Sequence, residues 1–138
     1  MKKAIIGCKG TTLDLLHGLS QRGVTCDLVL TLSPEAAEEA GVAFAQPECI
    51  ESYCAAAGIR TRRLNRYNLS SEMDTALFEE EAIDLLLVIG WERLIPPRIL
   101  DQLGAFACGM HGSPFGLPRG RGRSPMNWSL ITDQENFV

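Results

Sequence analysis

The sequence predicts an α/β domain: a Rossmann-like, doubly wound and mainly parallel sheet between helices, in a three-layer αβα arrangement. Three observations carry this prediction. Short apolar runs alternate with segments of helical period, the pattern of βαβ units. The run Leu85 to Ile89 is unbroken by polar residues, as suits a strand buried on both faces. Gly23, Gly41 and Gly58 close three successive helical segments. In such a sheet the binding site is expected at the carboxyl ends of the strands.

The elements follow in order. Lys3 to Cys8 is the first predicted strand. Thr11 or Thr12 is placed to cap a helix that carries Leu13, Leu16 and Leu19 on one face and stops at Gly23. Thr25 to Thr31 is the second strand. Ser33-Pro34-Glu35 starts a helix through Ala36, Ala37 and Ala40, and Pro47 to Ala57 forms another. Ile59 to Leu64 is a short third strand. Ser70 or Ser71 caps a helix with Met73, Ala76 and Leu77 inside and Glu79-Glu80-Glu81 outside as a solvated end. Residues 83–89 make the fourth strand. Pro96-Pro97 opens a short helix to Leu103, and Ala105 to Met110 is the fifth strand. Residues 112–123 hold four Gly and two Pro and suit no regular element. Ser124-Pro125 then starts a helix through Trp128 to Ile131.

One domain is expected over residues 1–138, with no repeat, linker or low-complexity tract. That length supports a hydrophobic core without disulfide or metal staples. A composition of 46% hydrophobic and 22% charged residues argues against disorder. No apolar run approaches the roughly 18 residues of a membrane span, and the run after Met1-Lys2-Lys3 is too short for a secretory signal. Five cysteines, an odd number without a C-x-x-C pair, read as reduced and mostly buried thiols in a cytoplasmic protein, with no metal site. The net charge of −4 speaks against a nucleic-acid partner. Residues 1–92 carry 8 Lys/Arg against 14 Asp/Glu, while residues 93–138 carry 5 Arg against 3 acids. The basic part is therefore local and late in the chain.

Three features carry candidate chemistry. His111 directly follows the fifth strand, at the expected functional edge, and an imidazole there can serve as general acid or base. His17, inside the first helix, reads as structural. The Gly7-Cys8-Lys9-Gly10-Thr11-Thr12 turn joins a strand to a helix N-terminus. It is either a plain βα turn or a place for an anion, and it is neither a Walker A loop nor a dinucleotide fingerprint. Arg119, Arg121 and Arg123 alternate with glycine. They form either a nucleic-acid patch or a structured loop whose arginines meet acids or a phosphate-bearing substrate, and a place between a strand and a helix favours the second.

Together these residues resemble a family signature. His111-Gly112-Ser113-Pro114, Leu117-Pro118, Arg121-Gly122, Pro125 and Asn127-Trp128 are similar to the active-site loop of the folate-dependent formyltransferases. Gly90-Trp91-Glu92-Arg93-Leu94-Ile95-Pro96 resembles that family's folate loop after the fourth strand. The form Gly122-Arg123-Ser124-Pro125-Met126-Asn127-Trp128 is most similar to members that formylate amino sugars on nucleotides. It is less similar to methionyl-tRNA and glycinamide ribonucleotide formyltransferases.

The resemblance implies the formyltransferase fold and transfer of a formyl group from 10-formyltetrahydrofolate to a primary amine of a small substrate, an amino-sugar nucleotide being favoured. It implies His111 as proton shuttle and oxyanion donor. The backbone of Gly90, Trp91, Glu92, Arg93, Leu94 and Ile95 would hold the pterin. Lys9, Gly10, Thr11, Thr12, Ser113, Pro114, Arg119, Arg121 and Arg123 would lie along the acceptor.

The chain departs from the family pattern twice. The family's Asn, two residues before the His, is here Gly109, and loss of one oxyanion donor typically costs about 10²–10³ in rate. A neighbouring amide such as Asn127, or a backbone N–H freed by the small Gly109, is expected to stand in. The family's Asp, a few dozen residues after the His, would fall beyond Val138, so the domain is expected to be truncated at its C-terminus. The alternative is an inactive, formyltransferase-like binding or regulatory domain. Such a domain would pair an open sheet edge with a partner or with a second copy as a homodimer.

Overall fold

The computed structural model describes residues 1–113, 122 and 125–133. Strand and helix alternate as β1 (Lys3–Ile6), α1 (Gly10–Gln21), β2 (Leu28–Leu32), α2 (Pro34–Glu39), α3 (Pro47–Ala57), β3 (Arg60–Leu64), α4 (Glu72–Glu81), β4 (Leu85–Val88), α5 (Pro97–Leu100), β5 (Phe106–Gly109) and α6 (Pro125–Ile131). The strands form one sheet in the order β3-β2-β1-β4-β5, and every neighbouring pair is parallel.

Because strand side chains alternate between faces, the sheet splits the core in two. Ala4, Ile6, Leu28, Leu30, Leu32 and Leu86 pack with Ala36, Ala37, Leu77, Phe78 and Ile99 of α2, α4 and α5. Ile5 and Val29 face the other way, onto Leu16, Ile50 and Cys54 of α1 and α3. This is the three-layer architecture the alternation predicts.

Helix ends follow local chemistry. Ser33 Oγ accepts the Ala36 N–H at 3.1 Å and caps α2. Ser71 accepts the Met73 N–H at 3.1 Å and caps α4. Gly58 closes α3 with φ +68°, a conformation open to glycine without strain.

Several expectations are corrected. Neither Thr11 nor Thr12 caps α1. Lys9 holds the cap position without a side-chain bond, and Thr12 turns fully inward. On α4, Met73 and Ala76 are exposed, and the buried face is Asp74, Leu77, Phe78 and Glu81. The Asp74 carboxylate sets that phase by accepting the Asn65 N–H at 2.7 Å and the Arg66 N–H at 3.1 Å. Glu81 is not a solvated helix end. It is 2% exposed and paired with Lys2 at 2.7 Å, Arg62 at 2.8 Å and Arg60.

The fourth strand is shorter than residues 83–89 because the Asp84 carboxylate takes the Lys2 N–H before regular pairing begins. Of its residues only Leu86 is buried, and the others are half-buried. The fifth helix ends at Leu100 rather than Leu103. His17 is exposed and meets the Tyr53 ring edge-on at 4.5 Å. Cys8, Cys26 and Cys54 are buried, and Cys49 and Cys108 are exposed. No helix among the described residues is long and apolar enough to cross a membrane.

Candidate functional site

From β1 the chain winds outward to β2 and β3, and β4 and β5 then extend the sheet on the other side of β1. The switch point therefore lies between the carboxyl ends of β1 and β4, where doubly wound sheets bind ligands. Residues 7–12 leave β1 there, and residues 89–95 leave β4.

The two segments interlock. The Cys8 N–H donates to the Gly90 carbonyl at 3.1 Å, and the Thr12 hydroxyl donates to the Ile89 carbonyl at 2.8 Å. Their closeness requires glycine at two points. A Cβ on Gly7 would lie 2.0 Å from the Ile89 oxygen and 2.2 Å from Thr12 Oγ1. Gly90 has φ +73°, and a Cβ there would lie 2.4 Å from Thr12 Oγ1 and 2.8 Å from Thr11 Oγ1. Lys9 Nζ then meets Glu92 Oε1 at 2.7 Å.

Tyr67, in the loop after β3, organises the far side. Its hydroxyl accepts the Glu92 N–H at 2.9 Å, its ring packs edge-on against Trp91 at 4.8 Å, and the Arg93 guanidinium lies over it at 5.4 Å. A cavity of about 350 Å³ opens beside it, lined by Glu39, Asn65, Arg66, Asn68 and Arg93 among others. Trp91 is buried and Leu94 is 92% exposed. Sequence reasoning missed Tyr67, Arg66 and the two asparagines. The available signal was their place at the exit of the third strand, on the same carboxyl edge.

Burial pushes the Cys8 thiol up to about 11 despite the nearby Lys9, so it stays protonated near neutral pH and is no nucleophile. Burial also raises the Tyr67 phenol, against the lowering effect of the Glu92 N–H bond. The phenol therefore remains neutral as it accepts that bond.

Lys9, Gly10, Thr11, Thr12 and residues 90–93 thus come together. His111 follows β5 and is exposed, and Ser113 is buried. Gly109 pairs with Val88 at the carboxyl end of β4, and a Cβ there would meet Val88 at 3.4 Å, so a side chain at this position fits with slight adjustment. Asn127 is exposed on α6. Pro114, Arg119, Arg121 and Arg123 lie outside the described residues.

Comparison with solved structures places this architecture in a class: the chain has the fold of the folate-dependent formyltransferases. Phosphoribosylglycinamide formyltransferase from Anaplasma phagocytophilum superposes with a TM-score of 0.67 at 18% identity, over 96% of this chain and 58% of that one. The enzyme of the same name from Coxiella burnetii gives 0.66 at 14% identity, over 96% of this chain and 61% of that one. The chain therefore spans about three fifths of the length of either structure. No family model matches the sequence, and no curated protein matches it.

Proposed function

We propose that the chain transfers a formyl group from 10-formyltetrahydrofolate to the primary amine of a small substrate, with an amino-sugar nucleotide as the favoured acceptor. The interlocked turn and loop at the switch point of a formyltransferase fold carry this reading. The donor fits the residues present. Its glutamyl carboxylates suit the guanidinium of Arg93 beside the cavity, whereas Arg66 is already paired with Glu39, and Tyr67 offers an aromatic wall. The backbone of residues 90–95 would hold the pterin, and Lys9 to Thr12 would lie along the acceptor.

In the reaction, the amine nitrogen bonds to the formyl carbon and the bond from that carbon to N10 of the donor breaks. The proton that leaves the amine passes to N10. His111, at the end of β5, is the residue assigned to carry it. Asn127 takes the oxyanion-donor role that Gly109 cannot supply.

The test is incubation with donor labelled in the formyl carbon and a panel of amines that includes a nucleotide-linked amino sugar. Labelled formamide is the expected product, and His111→Ala should lower its rate by about 10²–10⁴. A second reading, donor binding without turnover, is favoured by Gly109 and by the exposed, uncharged β5 edge, on which a second copy would pair. Donor binding with no labelled product from any amine would establish it. Absence of donor binding would overturn both.

A further inference from the structure

Lys9 and Glu92 belong to different loops, and the reading above assigns one to the acceptor and the other to the donor. Their side chains are instead engaged with each other, Nζ to Oε1 at 2.7 Å. The lysine is 16% exposed and the glutamate 62%. Main-chain contacts fix the neighbouring loop only as far as Gly90, through the Cys8 N–H. Past that residue, Trp91 belongs to the core and Ile95 packs against it, and the polar holds are the Glu92 N–H on the Tyr67 hydroxyl, Arg93 over the Tyr67 ring, and the Lys9–Glu92 pair.

What these holds retain is Trp91. Its indole is 7% exposed and packed against Tyr67, yet its Nε1 is buried with no hydrogen-bond acceptor. Burying an N–H without an acceptor is unfavourable. Burial of the ring in the core outweighs that cost, but the cost narrows the margin by which the loop stays in place. Gly90, at φ +73°, is the natural pivot for a swing outward.

We infer that Lys9 and Glu92 are positioning residues: their ion pair latches the 90–95 loop to the turn after β1 and keeps Trp91 inside. In the formyl-transfer reading, on which only this consequence rests, the latch sets the donor loop against the acceptor turn. An anionic acceptor that engages Lys9 would then loosen the donor loop. The latch itself requires neither substrate.

The test needs no ligand and no turnover. The chain has two tryptophans, and Trp128 is 60% exposed on α6, so Trp128→Phe leaves Trp91 as the sole reporter. Acrylamide quenching of Trp91 is measured at low salt and at about 1 M salt, where the Debye length is roughly 3 Å. Lys9→Met and Glu92→Gln should each raise the quenching constant, by up to about five-fold for a partly exposed ion pair. The double variant should go no further than either single one. The charge-swapped pair Lys9→Glu with Glu92→Lys should restore protection.

High salt should bring the parent to the level of the single variants and leave those variants unchanged. Quenching in the parent that ignores salt would overturn the latch, and this measurement stands even if a variant fails to fold. Single variants that match the parent, or a double variant whose effect is the sum of two, would overturn it equally. Because formyl transfer is not measured, failure of the latch leaves the proposed reaction standing, and failure of the reaction leaves the latch standing.

Discussion

Among the described residues, the two outer strands of the sheet are built in opposite ways. β3 carries Arg60, Arg62 and Arg63, and α4 and α3 meet them with Glu81, Glu80 at 3.0 Å, and Glu51 at 2.6 Å. A row of charges on an edge strand blocks pairing with a further strand. β5 carries Phe106, Ala107, Cys108 and Gly109, with no charge and with Phe106 59% exposed. Among the described residues, one outer strand is lined with charges and the other is not, and the candidate site sits between them. The turn after β1 and the loop after β4 are locked into the middle of the sheet, while His111 follows the outer strand β5. The loops proposed for donor and acceptor thus draw their geometry from the core, and the proposed proton carrier draws its from an outer strand.

The strongest way to break the locked part is Gly7→Ala. Its Cβ would lie 2.0 Å from a backbone oxygen that cannot move without β4, so a loss of about 3 kcal/mol or more is expected in denaturant unfolding. Glu81→Gln attacks the charge-lined strand. It leaves Lys2, Arg60 and Arg62 without their shared buried carboxylate, and about 3 kcal/mol should be lost, the low end for a buried network because its cations reach solvent.

The same network predicts an acid limit. Burial raises the Glu81 carboxyl, but bonding and attraction to Lys2 and Arg60 outweigh it and hold the carboxyl below its ordinary 4.5. A group lowered on folding contributes stability that is fully present above 4.5 and is lost as pH falls through its folded value. Thermal midpoints of the parent should therefore drop below pH 4.5, and more steeply than those of Glu81→Gln. On β5, Phe106→Thr should change stability by no more than about 0.5 kcal/mol and reduce concentration-dependent light scattering. A comparable loss at both outer strands would erase the contrast. Gly109→Asn sharpens it for chemistry. With Asn127 as donor, turnover should stay level or fall, whereas a gain on the order of 10² would show that the oxyanion donor is missing.

The fold was legible where signals are local. α3 runs from Pro47 to Ala57 as read, because proline is suited to the first helical turn and Gly58 to the left-handed stop. The parallel, doubly wound sheet needed only the alternation of strand and helix, whereas its strand order came with the structure. Glu81 was unreadable for the opposite reason. Three consecutive glutamates carry no local mark of which one Lys2 will capture from 79 residues away. Tyr67 was missed likewise, since it acts on Glu92 25 residues further on. Of the candidate site, the resemblance pointed to the loop after β4 and the turn after β1, and the structure brings these two segments together. It read Lys9 and Glu92 as separate ligands, because an ion pair between loops leaves no trace in spacing.

The central claim is that these interlocked loops receive a folate formyl donor. Calorimetric titration of the parent and of Arg93→Ala with 10-formyltetrahydrofolate tests it most directly, with Arg22→Ala on the far end of α1 as control. The account predicts that the parent and Arg22→Ala bind alike, and that Arg93→Ala binds about ten-fold more weakly, the worth of one charged hydrogen bond. No binding by the parent, or equal binding by all three, would contradict it.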